Sequence, residues 1–252
     1  MSAHRYYLYL RGLHGTLMQP ELPHGAGVSV PHKRIDSTVW ADIYVVGDVH
    51  GCRATLERLL DTLEPSPEDL VVFVGDLLRK GPDSSGTLDL LRERPNLRAV
   101  RGNNEQKLVD GRASLDSLTD EDLAYLDSLP VVLSWDDVLV VHGGIDHRKP
   151  LAEHTAGELL NARSLAPEGG YERPYWFETR EERPRVFFGH TVLAEPLVSR
   201  YAVGLDTGCV YGGQLTAYDY RAETVHSVDP PETYRSRSPE SIVDPEPKRP
   251  ET

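Results

Sequence analysis

Five short turns marked by glycine recur along this chain, and each carries side chains of the kinds that ligate metals. The turns read Gly47-Asp48-Val49-His50-Gly51, Gly75-Asp76, Gly102-Asn103-Asn104-Glu105, His142-Gly143-Gly144 and Gly189-His190-Thr191. Four of them follow apolar runs typical of buried strands, which are Ile43–Val46, Leu70–Val74, Val138–Val141 and Val186–Phe188. A side chain just beyond a buried strand has a rigid base, and strands lying side by side bring such side chains to one point.

The candidate ligands are two aspartates, three histidines and one asparagine: Asp48, His50, Asp76, Asn103, His142 and His190. Oxygen and nitrogen ligands of this kind suit divalent Mn, Fe, Zn or Mg, with Mn the leading choice. Alone, Asp48 could form a turn and His142 could be a core histidine. Six such residues in order instead predict a dinuclear metal centre for hydrolysis.

In this order and spacing, the turns resemble those of the calcineurin-like metallophosphoesterase superfamily. The resemblance is closest to the branch that holds Ser/Thr protein phosphatases, symmetrical diadenosine tetraphosphatases and the phosphatase module of bacterial polynucleotide kinase-phosphatases. It extends over residues 42–219 and includes the trailing segment Leu205–Ala217. The resemblance implies an α/β fold, a two-sheet sandwich with flanking helices and the metal site at one edge.

The resemblance also implies how the candidate ligands are shared. Asp76 would bridge the two ions, and Asp48 and His50 would complete the first site. The second site would be completed by Asn103, His142 and His190. Two ions of this kind supply a nucleophile at neutral pH and neutralise charge on the phosphoryl oxygens.

The chain departs from the family pattern at three positions. The family commonly carries Gly-Asp-x-x-Asp-Arg-Gly and Gly-Asn-His-Glu, whose second Asp and His form a pair that protonates the leaving oxygen. Here Arg79 replaces that Asp, Lys80 replaces the phosphate-binding Arg, and Asn104 replaces the His. Neither an amide nor a guanidinium can act as the acid. Either the leaving group needs little protonation, as in a phosphoanhydride, or the site binds phosphate without turnover.

The complete set of candidate ligands favours an active enzyme. We therefore expect a dinuclear metal-dependent phosphatase that hydrolyses phosphoanhydrides or phosphate monoesters, with Asp76, Asn104, Arg79 and Lys80 in the catalytic site. The preferred substrate is a nucleoside polyphosphate of the diadenosine tetraphosphate kind. A Ser/Thr protein phosphatase, a nucleotide phosphodiesterase and a catalytically impaired phosphate-binding module are the alternatives.

Composition limits the partners and the compartment. The net charge of -13 argues against general binding of nucleic acid or anionic membranes, which requires a basic surface. It does not exclude a phosphorylated small molecule, a nucleotide or a phosphoprotein, because bound metals supply local positive charge. Two cysteines, Cys52 and Cys209, provide no disulfide framework and are expected to be buried. A cytoplasmic protein without a membrane span is predicted.

The 252 residues are divided by pattern into an N-terminal extension (1–40), a metallophosphoesterase domain (41–228) and a tail (229–252) predicted to be disordered. Helical spacing predicts helices over Arg53–Leu63, Ser84–Arg92 and Thr119–Leu129. Strands are predicted at Tyr6–Leu10, Asp42–Val46, Leu70–Val74, Leu97–Val100, Val131–Trp135, Val138–Val141, Val186–Phe188, Tyr201–Leu205 and Leu215–Tyr220. Residues 156–183 are expected to form a helix and a loop that cap the site.

Several other residues have open roles. Arg101, Arg163, Arg183 and Arg185 are candidates for contacts with substrate phosphate. Glu105 is expected to cap a helix, and Asp206 to hydrogen-bond within its own turn. Packing is preferred over base stacking for Tyr175 and Trp176, and exposed loop positions are preferred for His147 and His154.

Overall fold

The computed structural model describes residues 30–245 of the chain. In chain order, the strands of this part are β1 (His32–Arg34), β2 (Ile43–Val46), β3 (Leu70–Phe73), β4 (Leu97–Ala99), β5 (Val132–Trp135), β6 (Val138–Val141), β7 (Arg185–Phe188), β8 (Leu197–Val198), β9 (Ala202–Gly204), β10 (Leu215–Asp219) and β11 (Thr224–Val228). The α-helices are α1 (Arg53–Leu63), α2 (Ser84–Glu93), α3 (Asn103–Val109), α4 (Asp120–Ser128), α5 (Ala156–Asn161) and α6 (Trp176–Thr179).

The strands within residues 30–245 form two mixed sheets. Sheet I has the order β11-β10-β2-β3-β4, and sheet II has the order β1-β5-β6-β7-β9-β8. In sheet I, β2, β3 and β4 are parallel, and in sheet II, β6, β7 and β9 are parallel. Because the carboxyl ends of parallel neighbours lie at one edge, each sheet presents the turns after its parallel strands together.

The two sheets pack face to face, and helices cover their outer faces. Alternate residues of β3 show the division: Val72 packs between the sheets, whereas Val71 and Phe73 face the helices that cover sheet I. The layer between the sheets includes Ile43, Val45, Leu133, Trp135, Val140, Phe187 and Val203. The covering helices are α1 and α2 on sheet I and α5 and α6 on sheet II. The predicted α/β sandwich with flanking helices is confirmed.

Helix α1 shows how local spacing produced an accurate prediction. The buried leucines of this helix recur at helical intervals and are Leu56, Leu59, Leu60 and Leu63. The helix ends where Glu64 adopts a left-handed conformation, with φ of 47°, immediately before Pro65. Helix α1 has 11 residues, and no helix within residues 30–245 is long and apolar enough to cross a membrane.

The predicted strands from β2 onward are found with ends that differ by at most one residue, but three strands were not predicted. β1 is a charged edge strand, and β8 has only two residues. β11 lies at the edge of sheet I beside β10 and has no buried residue, so it lacks the apolar alternation of a half-buried strand. The predicted strand Tyr6–Leu10 lies outside the described residues.

The segment after β11 contacts the domain, although its composition predicts disorder. Asp229 accepts a hydrogen bond from Arg58 through its backbone carbonyl, at 2.7 Å. Further along, Val243 is buried and pairs with Leu193 in an isolated bridge. Few apolar residues are present, so these specific contacts hold the segment rather than a core of its own. The division of the chain at residues 40 and 229 stays a prediction.

Candidate metal centre

The candidate ligands converge where the two sheets meet at their carboxyl edges. Asp48, Asp76 and Asn103 follow the parallel strands β2, β3 and β4 of sheet I. His142 and His190 follow the parallel strands β6 and β7 of sheet II. The strands of one sheet lie side by side, as expected, but the complete set requires both sheets.

Asp76 lies at the middle of this cluster. Its Oδ1 atom is 3.3 Å from Nε2 of His142, and its Oδ2 atom is 3.8 Å from Nε2 of His50. Nε2 of His50 is also 3.8 Å from a carboxylate oxygen of Asp48. Ligand atoms of Asp48, Asp76 and His142 all lie within 4.8 Å of one another, and all three residues are buried. The two oxygens of Asp76 therefore face two different histidines, as a bridging ligand would.

A backbone carbonyl orients the imidazole of His142. Nδ1 of His142 is 2.9 Å from the carbonyl oxygen of Val74, so the proton is on Nδ1 and Nε2 presents a lone pair. The side-chain oxygen of Asn103 lies only 3.2 Å from that Nε2. Two lone pairs that face each other repel, and a shared cation would remove the repulsion. This geometry fits a metal ion between the two side chains.

The charges at the site also fit divalent cations. Burial, together with the nearby carboxylates of Asp206 and Asp76, raises the pKa of Asp48 well above its usual value. Burial lowers the pKa of His50 to about 3, so its imidazole is neutral and able to act as a ligand. For Asp76, burial acts to raise the pKa, but His142, His50 and Lys80 together hold it below the usual value. Buried carboxylates and neutral imidazoles form a donor set suited to divalent ions.

The backbone is strained where it presents the cluster. His50, Asp76 and His190 have φ angles of 54°, 48° and 64°, in the left-handed region that non-glycine residues rarely adopt. The amide of His190 donates to both carboxylate oxygens of Asp48, at 3.3 and 3.2 Å. Such strain persists where surrounding contacts enforce it, and it is concentrated at functional sites.

The family profile for calcineurin-like phosphoesterases matches residues 41–194, which contain every candidate ligand. The chain belongs to this family. It is 33% identical over 210 residues to serine/threonine-protein phosphatase 1 of Salmonella typhimurium, covering 73% of this chain and 94% of the relative. It is also 27% identical over 228 residues to an asymmetrical bis(5'-nucleosyl)-tetraphosphatase of Oceanobacillus iheyensis, covering 74% and 91%.

A solved structure provisionally described as a diadenosine tetraphosphatase superimposes on this metallophosphoesterase with a TM-score of 0.71. The two are 30% identical, and the match covers 79% of this chain and 98% of the other. The resemblance predicted from the turns is thereby confirmed, and the chain is a hydrolase of phosphate esters or anhydrides. The family uses two metal ions.

Two of the three positions that depart from the family pattern, Arg79 and Asn104, form a hydrogen-bonded chain with Asp76. Nη1 of Arg79 donates to the side-chain oxygen of Asn104 at 2.7 Å. The amide nitrogen of Asn104 in turn donates to Oδ2 of Asp76. The backbone N–H of Asn104 donates to the other oxygen, Oδ1, at 2.8 Å. Asn104 is therefore held between a guanidinium and the central carboxylate, with both ends of its amide engaged.

Glu105 has a wider role than the predicted helix cap. It is fully buried, and one carboxylate oxygen accepts from the backbone N–H groups of Gly102 and Asp76, each at 2.9 Å. The other oxygen accepts from the N–H of Leu78 at 3.1 Å. Burial and the negative charge of Asp76 raise the pKa of Glu105 to about 8. Glu105 thus ties the start of α3 to the turn that carries Asp76.

Two cations border the cluster, one at His50 and one at His190. Nζ of Lys80 donates to Nε2 of His50 at 2.9 Å, and Nη2 of Arg163 donates to Nε2 of His190 at 2.9 Å. The Nε2 atoms are the ones available to a metal, so both cations lie at the edge where a phosphoryl group would bind. Of the four candidate arginines, the structure brings only Arg163 to this edge among the described residues.

The other three arginines were wrong as candidates for phosphate contacts. Arg101 is buried and bonds to Gln106 and to the carbonyl of Leu129, so it fixes the connection between α3 and α4. Arg183 pairs with Asp137, and Arg185 donates to the carbonyl of Ser199. Both precede or begin β7 and therefore lie at the opposite end of that strand from His190.

The remaining aromatic and histidine candidates have structural contacts. Trp176 is buried and donates to the carbonyl of Gly143 at 3.1 Å, and Tyr175 stacks on Phe177. His154 was wrongly expected to be exposed, because it is buried and accepts from the backbone N–H of Asp146. His147 is half-buried and lies 3.5 Å from the Thr179 hydroxyl.

Two smaller expectations, for the cysteines and for Asp206, are confirmed. Cys52 and Cys209 are buried and free, as expected for small apolar side chains. Asp206 is buried and accepts from the backbone N–H of Gly208 at 3.1 Å, inside its own turn.

Three residues near the site were not identified from the sequence: Tyr171, Tyr211 and Arg237. Tyr211 lies in the trailing segment Leu205–Ala217, which carries part of the resemblance. The sequence therefore placed this residue in a family motif but gave no indication of its role. Its ring centroid lies 6.3 Å from that of His50. Arg237 follows the residues matched by the family profile and has no local motif. Only long-range contacts bring it to the site.

Proposed function

We propose that this metallophosphoesterase hydrolyses phosphoanhydrides, with a nucleoside polyphosphate of the diadenosine tetraphosphate kind as substrate. The observation that carries the proposal is the chain from Arg79 through Asn104 to Asp76. It occupies the place where the family commonly has an acidic Asp–His pair. Because neither Arg79 nor Asn104 can donate a proton as an acid, the site favours a substrate whose leaving group departs without one.

We propose that two divalent ions, Mn by preference, are held as the resemblance implies. Asp48 and His50 would hold one ion, Asn103, His142 and His190 the other, and Asp76 would be shared. Bound there, the ions supply the nucleophile at neutral pH and neutralise phosphoryl charge. The ligand types do not choose sharply among Mn, Fe, Zn and Mg, because all four accept oxygen and imidazole nitrogen.

The chemistry of the leaving group determines how much the rate of hydrolysis falls when no general acid is present. When a monoester of serine is hydrolysed, the phosphorus–oxygen bond breaks and the leaving alkoxide must take a proton. General acid catalysis typically contributes 10²–10⁴-fold to such a step. When an anhydride is hydrolysed, the leaving group is a phosphate, which is stable as an anion. The positive charges of Arg79, which is hydrogen-bonded to Asn104, and of Lys80 favour a site that binds anionic groups.

Lys80 and Arg163 are the residues that we propose bind the phosphoryl oxygens. They border the cluster on the His50 and His190 sides, 2.9 Å from the two imidazoles. A phosphoryl group seated over the proposed ions would therefore lie between an ammonium and a guanidinium. Two flanking cations orient the group and stabilise the charge that develops on it.

The relatives support both the proposal and a second candidate. A bis(5'-nucleosyl)-tetraphosphatase and a structure assigned to diadenosine tetraphosphate hydrolysis support the anhydride substrate. The relative with 33% identity is a Ser/Thr protein phosphatase, which supports a phosphoprotein substrate instead. We favour the anhydride because the Arg79–Asn104 chain concerns the step that distinguishes the two reactions. A cytoplasmic location is proposed because the two free, buried cysteines suit a reducing compartment.

One substrate panel tests the proposal. The full-length protein is assayed with Mn²⁺ on diadenosine tetraphosphate, inorganic polyphosphate, a phosphoserine peptide and p-nitrophenyl phosphate. We expect kcat/KM for diadenosine tetraphosphate to exceed that for the phosphoserine peptide by at least about 100-fold, the lower range of acid catalysis. A higher value for the peptide would replace the proposal by the protein phosphatase. No turnover of any substrate would identify a phosphate-binding module.

A further inference from the structure

The segment that follows β11, here called the C-terminal strap (Asp229–Pro245), is held across the site by bonds to several parts of the domain. The backbone N–H groups of Tyr234 and Arg235 both donate to the carbonyl of Val210, at 3.2 and 3.0 Å. Nε of Arg235 donates to the carbonyl of Lys80 at 3.0 Å. The strap is therefore fixed directly to the turn that carries Lys80.

The strap places Arg237 between Tyr171 and Tyr211, beside the candidate metal centre. Its guanidinium lies 4.7 Å from the ring centroid of Tyr211 and 5.9 Å from that of Tyr171. It also donates a hydrogen bond to the Tyr171 hydroxyl. Its Nε donates to the carbonyl of Ser241 at 3.1 Å, within the strap itself. The side chain is half-buried and held in one place by these contacts.

The same tyrosines also contact the two cations that border the proposed metals. Lys80 lies 5.3 Å from the centroid of Tyr211, and Arg163 lies 4.4 Å from that of Tyr171. Cations and rings therefore alternate in the order Lys80, Tyr211, Arg237, Tyr171, Arg163, which we call the cation–tyrosine row. The two ends of the row touch His50 and His190, and Arg237 occupies its middle.

The three cations of the row are available to an anionic ligand. Within residues 30–245, none of them has a carboxylate partner at ion-pair distance, whereas Arg148 and Lys149 pair with Asp146 and Glu158. Three cations without carboxylate partners repel one another when they are held close together, and a bound anion would relieve that repulsion.

We propose that Arg237 binds the phosphate next to the one that is transferred, so that the strap makes the enzyme select polyphosphates over single phosphates. The inference rests on the proposed anhydride function and adds the residue that recognises the second phosphate. A single phosphoryl group over the metals contacts Lys80 and Arg163 at the two ends of the row. A chain of phosphates extends further outward, and the planar fork of Arg237 is suited to its oxygens.

The first test compares Arg237→Gln with the wild type in kcat/KM on diadenosine tetraphosphate and on p-nitrophenyl phosphate, both with Mn²⁺. A charged hydrogen bond lost from a phosphate predicts a fall of about 10–100-fold on the tetraphosphate. The p-nitrophenyl phosphate value should change less than about twofold, because that substrate has no second phosphate. The control is Arg200→Gln, which removes the same charge from an exposed arginine. Arg200 precedes β9, whereas Asp206 follows that strand at its other end. An equal fall on both substrates, or none, would overturn the inference.

A second test needs no turnover. Binding of methylenediphosphonate and of methylphosphonate, which the enzyme cannot hydrolyse at a phosphorus–carbon bond, is measured by titration calorimetry on the Mn²⁺-loaded protein. Arg237→Gln should raise the Kd of the diphosphonate about 10–100-fold and leave that of the monophosphonate unchanged. An unchanged ratio of the two Kd values would overturn the inference. Melting temperatures show whether each variant folds. If the glutamine variant does not fold, Arg237→Lys must still raise the Kd of the diphosphonate without raising that of the monophosphonate.

The two tests separate failure of this inference from failure of the proposed function. If diadenosine tetraphosphate is not hydrolysed but binding of the diphosphonate still depends on Arg237, the proposed function is wrong and the phosphate subsite stands. If tetraphosphate is hydrolysed and neither measurement depends on Arg237, the function stands and the strap has no part in recognition.

Discussion

The Oδ1 atom of Asp76 and the Nε2 atom of His142 lie 3.3 Å apart, although the two residues belong to different sheets of the sandwich. Asp76 follows β3 of sheet I, and His142 follows β6 of sheet II. Each sheet alone presents only part of the donor set. The centre proposed here therefore forms only when the two sheets pack, which couples its geometry to the hydrophobic layer between them.

Loss of the shared carboxylate is expected to abolish turnover of every substrate. Asp76→Asn keeps the shape of the side chain but removes the negative charge that faces both His50 and His142. We expect activity to fall by more than about 100-fold and the bound metal, measured by plasma mass spectrometry, to drop below two ions per chain. Removal of metal by a chelator should have the same effect, and added Mn²⁺ should restore the wild type. Asp61→Asn, an exposed change on α1, is the control and should retain metal and activity.

Installing the family's acid pair is expected to improve hydrolysis of alkyl phosphates. In Arg79→Asp with Asn104→His, the imidazole replaces an amide that now bonds to Asp76, and the new carboxylate can orient it. Turnover of phosphoserine should rise by about tenfold or more, a partial gain of general acid catalysis. Anhydride turnover should gain little and can fall, because the Arg79 charge is lost.

The single variants Arg79→Asp and Asn104→His are the controls, since the acid needs both partners. If the wild type cleaves phosphoserine as fast as anhydrides, another group supplies the proton. His147 would then be the first to replace, because His154 is buried against the backbone of Asp146.

Glu105 is expected to contribute to stability rather than to chemistry. In Glu105→Gln, an amide N–H₂ replaces one of the oxygens that accept from the backbone N–H groups of Asp76, Gly102 and Leu78. Above pH 8, where Glu105 is ionised, a buried donor left facing another donor should lower the free energy of unfolding by about 1–3 kcal/mol, measured by urea denaturation. Glu57→Gln loses only an exposed pair with Arg53 and should cost less than about 0.5 kcal/mol. Equal effects of the two changes would contradict the assigned role.

Gly102 is expected to tolerate no side chain. A Cβ at this position would lie 2.1 Å from the backbone nitrogen of Asp76 and 2.4 Å from its Oδ1. Gly102→Ala must displace the turn that carries Asp76, and we expect a loss of about 1–3 kcal/mol together with weaker metal binding. Gly157→Ala is the matched change in α5, where only the Thr155 hydroxyl approaches, at 3.9 Å. It should be neutral or stabilise by up to about 1 kcal/mol, as thermal denaturation will show.

The sequence by itself was sufficient for features encoded by neighbouring residues. The leucine spacing of Arg53–Leu63 predicted α1 to the residue, because helical periodicity and Pro65 act within a few positions. The turns that carry the candidate ligands were found in the same way, each from an apolar run followed by glycine and a polar side chain. Their order along the chain was enough to identify the family.

The tertiary structure decided what depends on distant residues. Arg101, Arg163 and Arg185 have the same chemistry in the sequence, yet only Arg163 reaches the site, because the position of each is set by packing rather than by its neighbours. Arg237 lies in a segment whose composition predicts disorder, and contacts with Tyr171 and Tyr211 bring it to the site. Local patterns record the propensity of each segment, whereas the assembly of a site depends on contacts between residues far apart in the chain.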